Sequence, residues 1–373
     1  MKQFIIRFLL AFILLSAAAG LVFTGCQQAQ EEPFTSEVEY YKYGQLKNIY
    51  DHEILPLTSA FEKAAASLAI RAASFREMTD PEHLLGLQLQ WEQTVKIWKQ
   101  LELYDLGTVG ESFISYQINR WPADTLKIEE NVRGAENLDK SFIASIGSSS
   151  RGISALEYLL YAEGHPRVVQ SFTSDENTDR RLDYLLALAE VLHDNSLEYR
   201  ALWQSYGEPF TASLENGING SQNLVINAVV SLLEEIIVAK LGAPLGDSSG
   251  GTPQSDQLEA SRSGFSRETL RQNLSALQRC FTGDFSQSPF RVGFDDFLGL
   301  IGSSDLSGRI LDQFNRSRKD LNAIPGTLEQ QLASDPESIE RLQNDLRDLL
   351  VLIKVDMANV LGSTITFNDN DGD

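Results

Sequence analysis

The chain has 373 residues, with 31 Lys and Arg against 52 Asp and Glu, and a formal charge of −21. A surface this acidic repels nucleic acid and anionic membrane faces, which excludes nucleic acid as an expected partner. It also gathers cations and keeps a protein soluble.

Residues 1–25 read as a secretory leader, with Lys2 and Arg7 ahead of an almost wholly apolar run from Phe8 to Phe23. Phe23-Thr24-Gly25-Cys26 places small residues directly before a cysteine, the pattern of a lipoprotein cleavage site. Cys26 is therefore the expected lipidation point and membrane anchor, and residues 26–34 a polar tether. Gln27 stands where an Asp resembles an inner-membrane retention signal, so an outer-membrane lipoprotein on either face is expected. Losing Lys2 and Arg7 with the leader takes the charge from −21 to about −23. Cys280 is then the one other cysteine, so the mature domain has no internal disulfide and depends on an ordinary hydrophobic core.

Helical periodicity dominates the rest of the chain. Ile49, Leu57, Phe61, Ala64 and Leu68 share one face between Val38 and Phe75, with Pro56 expected to bend or interrupt the segment. A second helix over 81–103 carries Leu84, Leu87, Trp91, Val95 and Trp98 as its apolar stripe. Residues 107–122 read as a connection with at most one short helix, and short helices over 124–145 come next. A long helix is expected over 176–204, and an apolar, centrally buried one over 224–241 that carries Asn223 and Asn227 as a polar pair. Residues 242–262 hold Gly-Asp-Ser-Ser-Gly-Gly-Thr-Pro and read as a mobile surface loop. Leu274, Leu277 and Phe281 recur around Cys280 at helical spacing and predict a buried structural thiol. In the last helix Asp335 and Pro336 mark the start and Gly362 the end. The whole predicts an all-α protein of two packed helical bundles, over 35–210 and 211–373. Arg291-Val292-Gly293-Phe294-Asp295 echoes Arg151-Gly152-Ile153-Ser154, which suits a duplicated plan.

Catalytic machinery is scarce. None of His52, His83, His165 and His193 forms a His-Glu-x-x-His pair, and Ser148 to Ser150 do not form a nucleophile elbow. The terminal Asn-Asp-Asn-Asp-Gly-Asp lacks an EF-hand register and reads as a solvated acidic tail.

The informative run is 151–161. A Gly-x-His-x-x-Glu pattern would set an imidazole and a carboxylate on one side of a helix, where they could hold a metal. Here Gly152 and Glu157 stand in that frame, but Ser154 occupies the histidine position. Glu157 falls on or beside the stripe of Ile153, Leu156 and Leu160. It is either a structural carboxylate accepting buried hydrogen bonds or part of a binding site.

This run resembles the hallmark of the imelysin family, envelope proteins linked to iron uptake that also carry a peptidase label. Trp91, Trp98 and Glu102, then Asn119-Arg120-Trp121-Pro122, Tyr199 to Trp203 and Phe367 to Asp373 are similar to other family segments in order and spacing. The resemblance implies the two-bundle fold, a role in acquiring iron or another divalent or trivalent metal, and envelope uptake proteins as partners. Calcium is a lesser candidate. Glu157 and Glu102 are the candidate metal ligands, and Arg120, Trp121, Arg151, Gly152, Ser154 and Glu157 the candidate pocket for a metal ion or small ligand. With the motif histidine missing, binding is expected rather than catalysis. The alternatives are a non-metal small-molecule or peptide module around Ser154 and Glu157, and then a metallopeptidase.

Overall fold

The computed structural model describes residues 36–161, 165–286, 288–289 and 291–366. The leader, Cys26, the tether and the acidic tail from Phe367 lie outside the described residues. Among the described residues no strand forms, and none of the helices is long and apolar enough to cross a membrane. Residues 41–373 form one compact unit, and residues 1–40 fall outside it.

The first helix, α1 (Glu37–Ile49), runs through a π-helical turn, Tyr50–Ile54, into α2 (Leu55–Glu77). Pro56 therefore opens α2 instead of breaking it. Its ring and missing N–H fall where the hydrogen-bonding register has already widened, so the chain absorbs the proline without a gap. Helix α3 (Pro81–Leu101) starts where Asp80 accepts a hydrogen bond from the His83 amide at 2.8 Å, with proline in its first turn. Two short helices, Gly107–Glu111 and Ile114–Ile118, fill the stretch read as a connection. The motif run forms α4 (Gly152–Tyr161), and α5 (Thr178–Ala212) is the longest helix described. Helices α2, α3 and α5 pack side by side, with α4 laid against α3 and α5. Their shared interior is aromatic: Trp98 meets Phe61 at 5.4 Å and Tyr199 at 5.6 Å between ring centroids.

The second set comprises α6 (Ser221–Glu235), α7 (Ser266–Thr282), α8 (Phe294–Leu300), α9 (Ser304–Ala323) and α10 (Pro336–Val351). Cys280 is fully buried on α7, and burial pushes its thiol up to about 12, so it is a poor nucleophile near neutral pH. Asn223 and Asn227 clamp the chain after Gly362. Asn223 accepts from the Thr364 amide at 2.7 Å and Asn227 from the Thr366 amide at 2.8 Å. Helix α7 packs on α3 and joins the two sets. There Arg279 of α7 donates to Glu53 of the first π turn at 2.6 Å and to Gln100 at 2.8 Å.

The segment read as a surface loop opens with buried Gly242, Pro244 and Leu245, and the rest of it divides in two. Asp247 to Ser249 and Gly251 to Pro253 include exposed and half-buried positions, whereas Leu258, Glu259 and Ala260 are buried. Local composition reports the first part, but tertiary contacts decide the second.

Gly152 and Gly293, the two ends of the internal echo, share a close backbone approach. A Cβ on Gly152 would stand 2.3 Å from the Ile118 carbonyl oxygen, and one on Gly293 2.5 Å from that of Phe281. Gly152 also has φ +76°, and Asn119 pairs with it in an isolated antiparallel bridge. Gly152→Ala is therefore expected to lower the free energy of unfolding by roughly 2–4 kcal/mol in urea titrations. Gly147→Ala, where a Cβ meets nothing within 4 Å, should stay within about 0.5 kcal/mol.

Candidate functional site: a buried charge cluster beneath a central cleft

The site grows from the end of α3. Its inward stripe runs through Trp91, Val95 and Trp98, and the position four residues after Val95 is Lys99. The Lys99 side chain is 1 % exposed. An ammonium buried so deeply needs acceptors. It finds Glu102 Oε1 at 2.6 Å, in the 3₁₀ turn that follows α3, and Glu259 Oε1, brought in by the segment before α7.

A second lysine arrives from the other helical set. Lys240 lies in the π-helical turn Ile236–Gly242 that continues α6. Its Nζ donates to Glu102 Oε2 at 2.7 Å and to Asn273 Oδ1 at 3.1 Å, and stands 3.4 Å from both Glu259 Oε2 and Glu235 Oε1. Asn273, on α7, returns its amide to Glu102 Oε2 at 2.9 Å and to the Lys99 carbonyl at 2.7 Å. Burial pushes the Glu102 carboxyl up, but the Lys240 and Lys99 ammoniums outweigh it and hold the group at about 2. Burial likewise works against the Lys240 charge, yet the surrounding carboxylates raise its pKa well above the usual lysine value. Glu235 moves the other way: loss of water drives it up, with the Glu102 and Glu259 charges adding to the effect.

Above this cluster opens a cleft of about 720 Å³. Glu102, Glu235 and Glu259 reach it from below, and Asp105, Tyr116, Arg120 and the indoles of Trp98 and Trp121 line it elsewhere. Arg120 lies over the Tyr116 ring, 5.1 Å from its centroid. Four buried atoms of these lining residues have no hydrogen-bond partner: Trp98 Nε1, Trp121 Nε1, Asp105 Oδ1 and Glu259 Oε2. Native interiors satisfy nearly all such atoms, and a cluster around one cleft marks a place where something else supplies the bonds.

The segment that delivers Glu259 is held from both sides. Ser263 donates its amide and hydroxyl to Glu157 Oε1 at 2.9 and 3.0 Å, which anchors the far end of the turn to α4. Ala260 within that turn has φ +56°, a left-handed conformation that costs a non-glycine residue energy and persists only where its surroundings enforce it. At the near end Asn119 donates to Glu259 Oε1 at 3.0 Å, and the Asn119 side-chain oxygen accepts from Ser154 Oγ at 2.8 Å. Trp91 donates its indole N–H to the Ile153 carbonyl at 3.0 Å and packs on Phe265, which steadies both partners. Ser154 and Glu157 thus act on one object, the turn that carries Glu259.

The family model described as Imelysin matches residues 54–353. The chain belongs to the imelysin family. No curated protein matches the sequence. Among solved structures, an imelysin-like protein from Psychrobacter arcticum is 19% identical with a TM-score of 0.71, covering 88% of this chain and 98% of its own. A "putative iron-regulated protein A precursor" from Parabacteroides distasonis is 16% identical with a TM-score of 0.73, covering 87% and 95% respectively. At these identities the likeness is one of fold, and it agrees with the all-α imelysin architecture.

Of the residues that the imelysin resemblance singles out, Glu102, Arg120 and Trp121 line the cleft, and Ser154 stands one hydrogen bond behind it. Glu157, Gly152 and Arg151 are not among its described lining residues. Glu157 is spent on Ser263, and burial pushes its carboxyl up. Gly152 allows the approach to Ile118, and Arg151 donates to the Ala144 carbonyl at 2.6 Å. The donor set does not fit a bound transition metal at the motif. Ser154 Oγ gives its proton to Asn119, Glu157 and Glu102 face separate partners, and the Glu102 oxygens already accept from two ammoniums. Among the described residues no group of three or more His, Cys, Asp or Glu side chains is arranged to hold a metal ion.

Sequence reasoning misses Lys99, Lys240, Glu235, Glu259 and Asn273. Two of them carry a signal. Lys99 extends an apolar stripe, and Lys240 interrupts a run that is apolar nearly all round, so each is a cation on a face where water is absent. Glu259 has none, because only the fold carries its turn inward.

Removing one lysine strands the carboxylates, so Lys240→Met is expected to cost about 3–5 kcal/mol of stability at pH 7, read from urea titrations. The sign with pH comes from Glu102. Its folded pKa of about 2 lies below the ordinary 4.5, so its contribution is complete above about pH 5 and is lost as pH falls toward 2. Thermal midpoints of the unaltered protein should therefore fall across that window more steeply than those of Lys240→Met.

Proposed function

We propose that this protein is a non-catalytic imelysin-type binding protein of the cell envelope, connected with iron acquisition, that holds its ligand in the central cleft as a small organic molecule. The observation that carries this reading is the set of four buried polar atoms without a hydrogen-bond partner around one cleft of about 720 Å³, two indole donors and two carboxylate acceptors. Small-molecule sites combine aromatic walls with a few convergent polar groups in this way. The link with iron is supported by the Parabacteroides distasonis neighbour, whose name carries the words iron-regulated. The envelope placement rests on the apolar leader and the small residues before Cys26. Catalysis is disfavoured by the chemistry of the cleft: no histidine is among its described lining residues, and the Cys280 thiol is buried in α7 with a raised pKa.

A bare ion is the competing cargo, since carboxylate oxygens suit hard cations. Native mass spectrometry and elemental analysis of protein released gently from membranes separate the two. The expected result is an added organic mass, with iron and zinc well below one equivalent. One equivalent of either metal, lost in Glu157→Gln or Glu102→Gln, would contradict the proposal.

A further inference from the structure

We infer that the ligand of this cleft is an organic cation, a primary ammonium or guanidinium seated against Glu235 and Glu259 with its apolar or aromatic body between Trp98, Tyr116 and Trp121. The inference rests on the cleft being the binding site, and it adds the chemical class. Four carboxylates, Glu102, Asp105, Glu235 and Glu259, are among the described lining residues, while two ammoniums, Lys99 and Lys240, serve them from beneath.

Those ammoniums are unequally shared. Lys99 donates to Glu102 Oε1 and Glu259 Oε1, and Lys240 to Glu102 Oε2 and Asn273. Glu259 Oε2 and Glu235 Oε1 each lie 3.4 Å from Lys240, near enough to feel its charge and too far for a good hydrogen bond. Glu259 Oε2 belongs to a side chain only 7 % exposed and has no hydrogen-bond donor, and Asp105 Oδ1 across the cleft has none either. Burial pushes both Glu235 and Asp105 up, and the Glu102 charge adds to the shift of each. The missing element is therefore a positive group that can donate several hydrogen bonds.

Other ligand classes fit less well. An anion would meet these carboxylates, with Arg120 on the rim as the one lining cation among the described residues, and that guanidinium is stacked on Tyr116. A neutral ligand would leave the buried Glu259 oxygen short of charge. A desolvated metal ion would have to displace Lys99 and Lys240 from Glu102. The walls agree with the charge count, because Trp and Tyr faces attract cations, and Arg120 over Tyr116 is an example already in place. Beside Tyr116, the exposed Phe113 sits at φ +58° with its ring centroid 6.1 Å from that of Tyr116.

Isothermal titration of the full mature chain tests this with three probes of one shape: tyramine, its neutral alcohol analogue tyrosol, and the anion 4-hydroxyphenylacetate. Tyramine should bind about tenfold or more tightly than either of the others. Glu235→Gln should weaken tyramine by about tenfold while leaving tyrosol unchanged. Glu259→Gln should act in the same direction. Because Glu259 also pairs with Lys99, Glu235→Gln, whose side chain is 39% exposed, is the variant expected to keep its fold, checked by circular dichroism. Equal or better binding of tyrosol or the anion, or no binding of tyramine, overturns the inference. If the preferred neutral probe is then lost in Trp121→Ala, the cleft stands as the binding site and only the cation class fails. If tyramine binds but ignores Glu235→Gln, Glu259→Gln and Trp121→Ala together, the cleft itself is the wrong place.

Discussion

Two lysine ammoniums sealed from water, with the carboxylates that hold them, sit where the two helical sets meet, and the rest of the structure is arranged to make that burial tolerable. Desolvating each charge costs several kcal/mol, which only close pairing and extra hydrogen bonds can offset. The elements supplying those bonds come from all over the chain: Lys99 and Glu102 from the end of α3, Lys240 from the π turn after α6, Asn273 from α7, Glu259 from the turn before it, and Asn119 from the connection. Each contributor is fixed by its own helix, so the cluster also fixes how those helices meet. Arg279 and Glu53 repeat the device at a second point of the same junction. Oily contact alone would permit sliding, whereas paired buried charges tolerate one register.

The motif run serves this arrangement from a distance. A Glu on the inner side of α4 with a raised pKa invites a reading as a metal ligand or an acid. Its partners are instead the Ser263 amide and hydroxyl, and through them it holds the strained turn that carries Glu259. Ser154 acts on the same turn through Asn119. An imidazole in its place would bring two nitrogens and more bulk to a position that now fits one hydroxyl beside Asn119. Ser154 therefore serves the turn mechanically, through its hydrogen bond to Asn119. Gly152 completes the arrangement by letting α4 begin against the Ile118 carbonyl.

Much of the fold can be read from the sequence, because helices announce themselves locally. The helix starts at Pro81 and Pro336, the stripe through Leu84, Leu87, Trp91 and Trp98, and the burial of Cys280 all follow from spacing and from proline in a first turn, although Asp335 makes no side-chain cap. Errors arise where a distant partner decides. Pro56 reads as a bend or interruption until the π turn before it is seen, and Asn223 and Asn227 read only as a polar pair until the chain at Thr364 arrives to be clamped. The site is less legible than the fold. Glu102, Arg120 and Trp121 emerge from the sequence because they lie in recognisable segments, and Glu259 stays hidden in a Gly- and Ser-rich stretch that local composition marks as surface.

Lysine ammoniums pair with Glu102 and with one oxygen of Glu259, and both the proposed binding site and its proposed ligand class depend on that. Anomalous diffraction from crystals grown with ferric ion and with zinc addresses it at the atoms concerned. We expect Lys99 and Lys240 hydrogen-bonded to Glu102 in both crystals, with no anomalous peak between Glu102 and Glu259. A peak bridging those two carboxylates, with Lys240 turned away from Glu102, would contradict it.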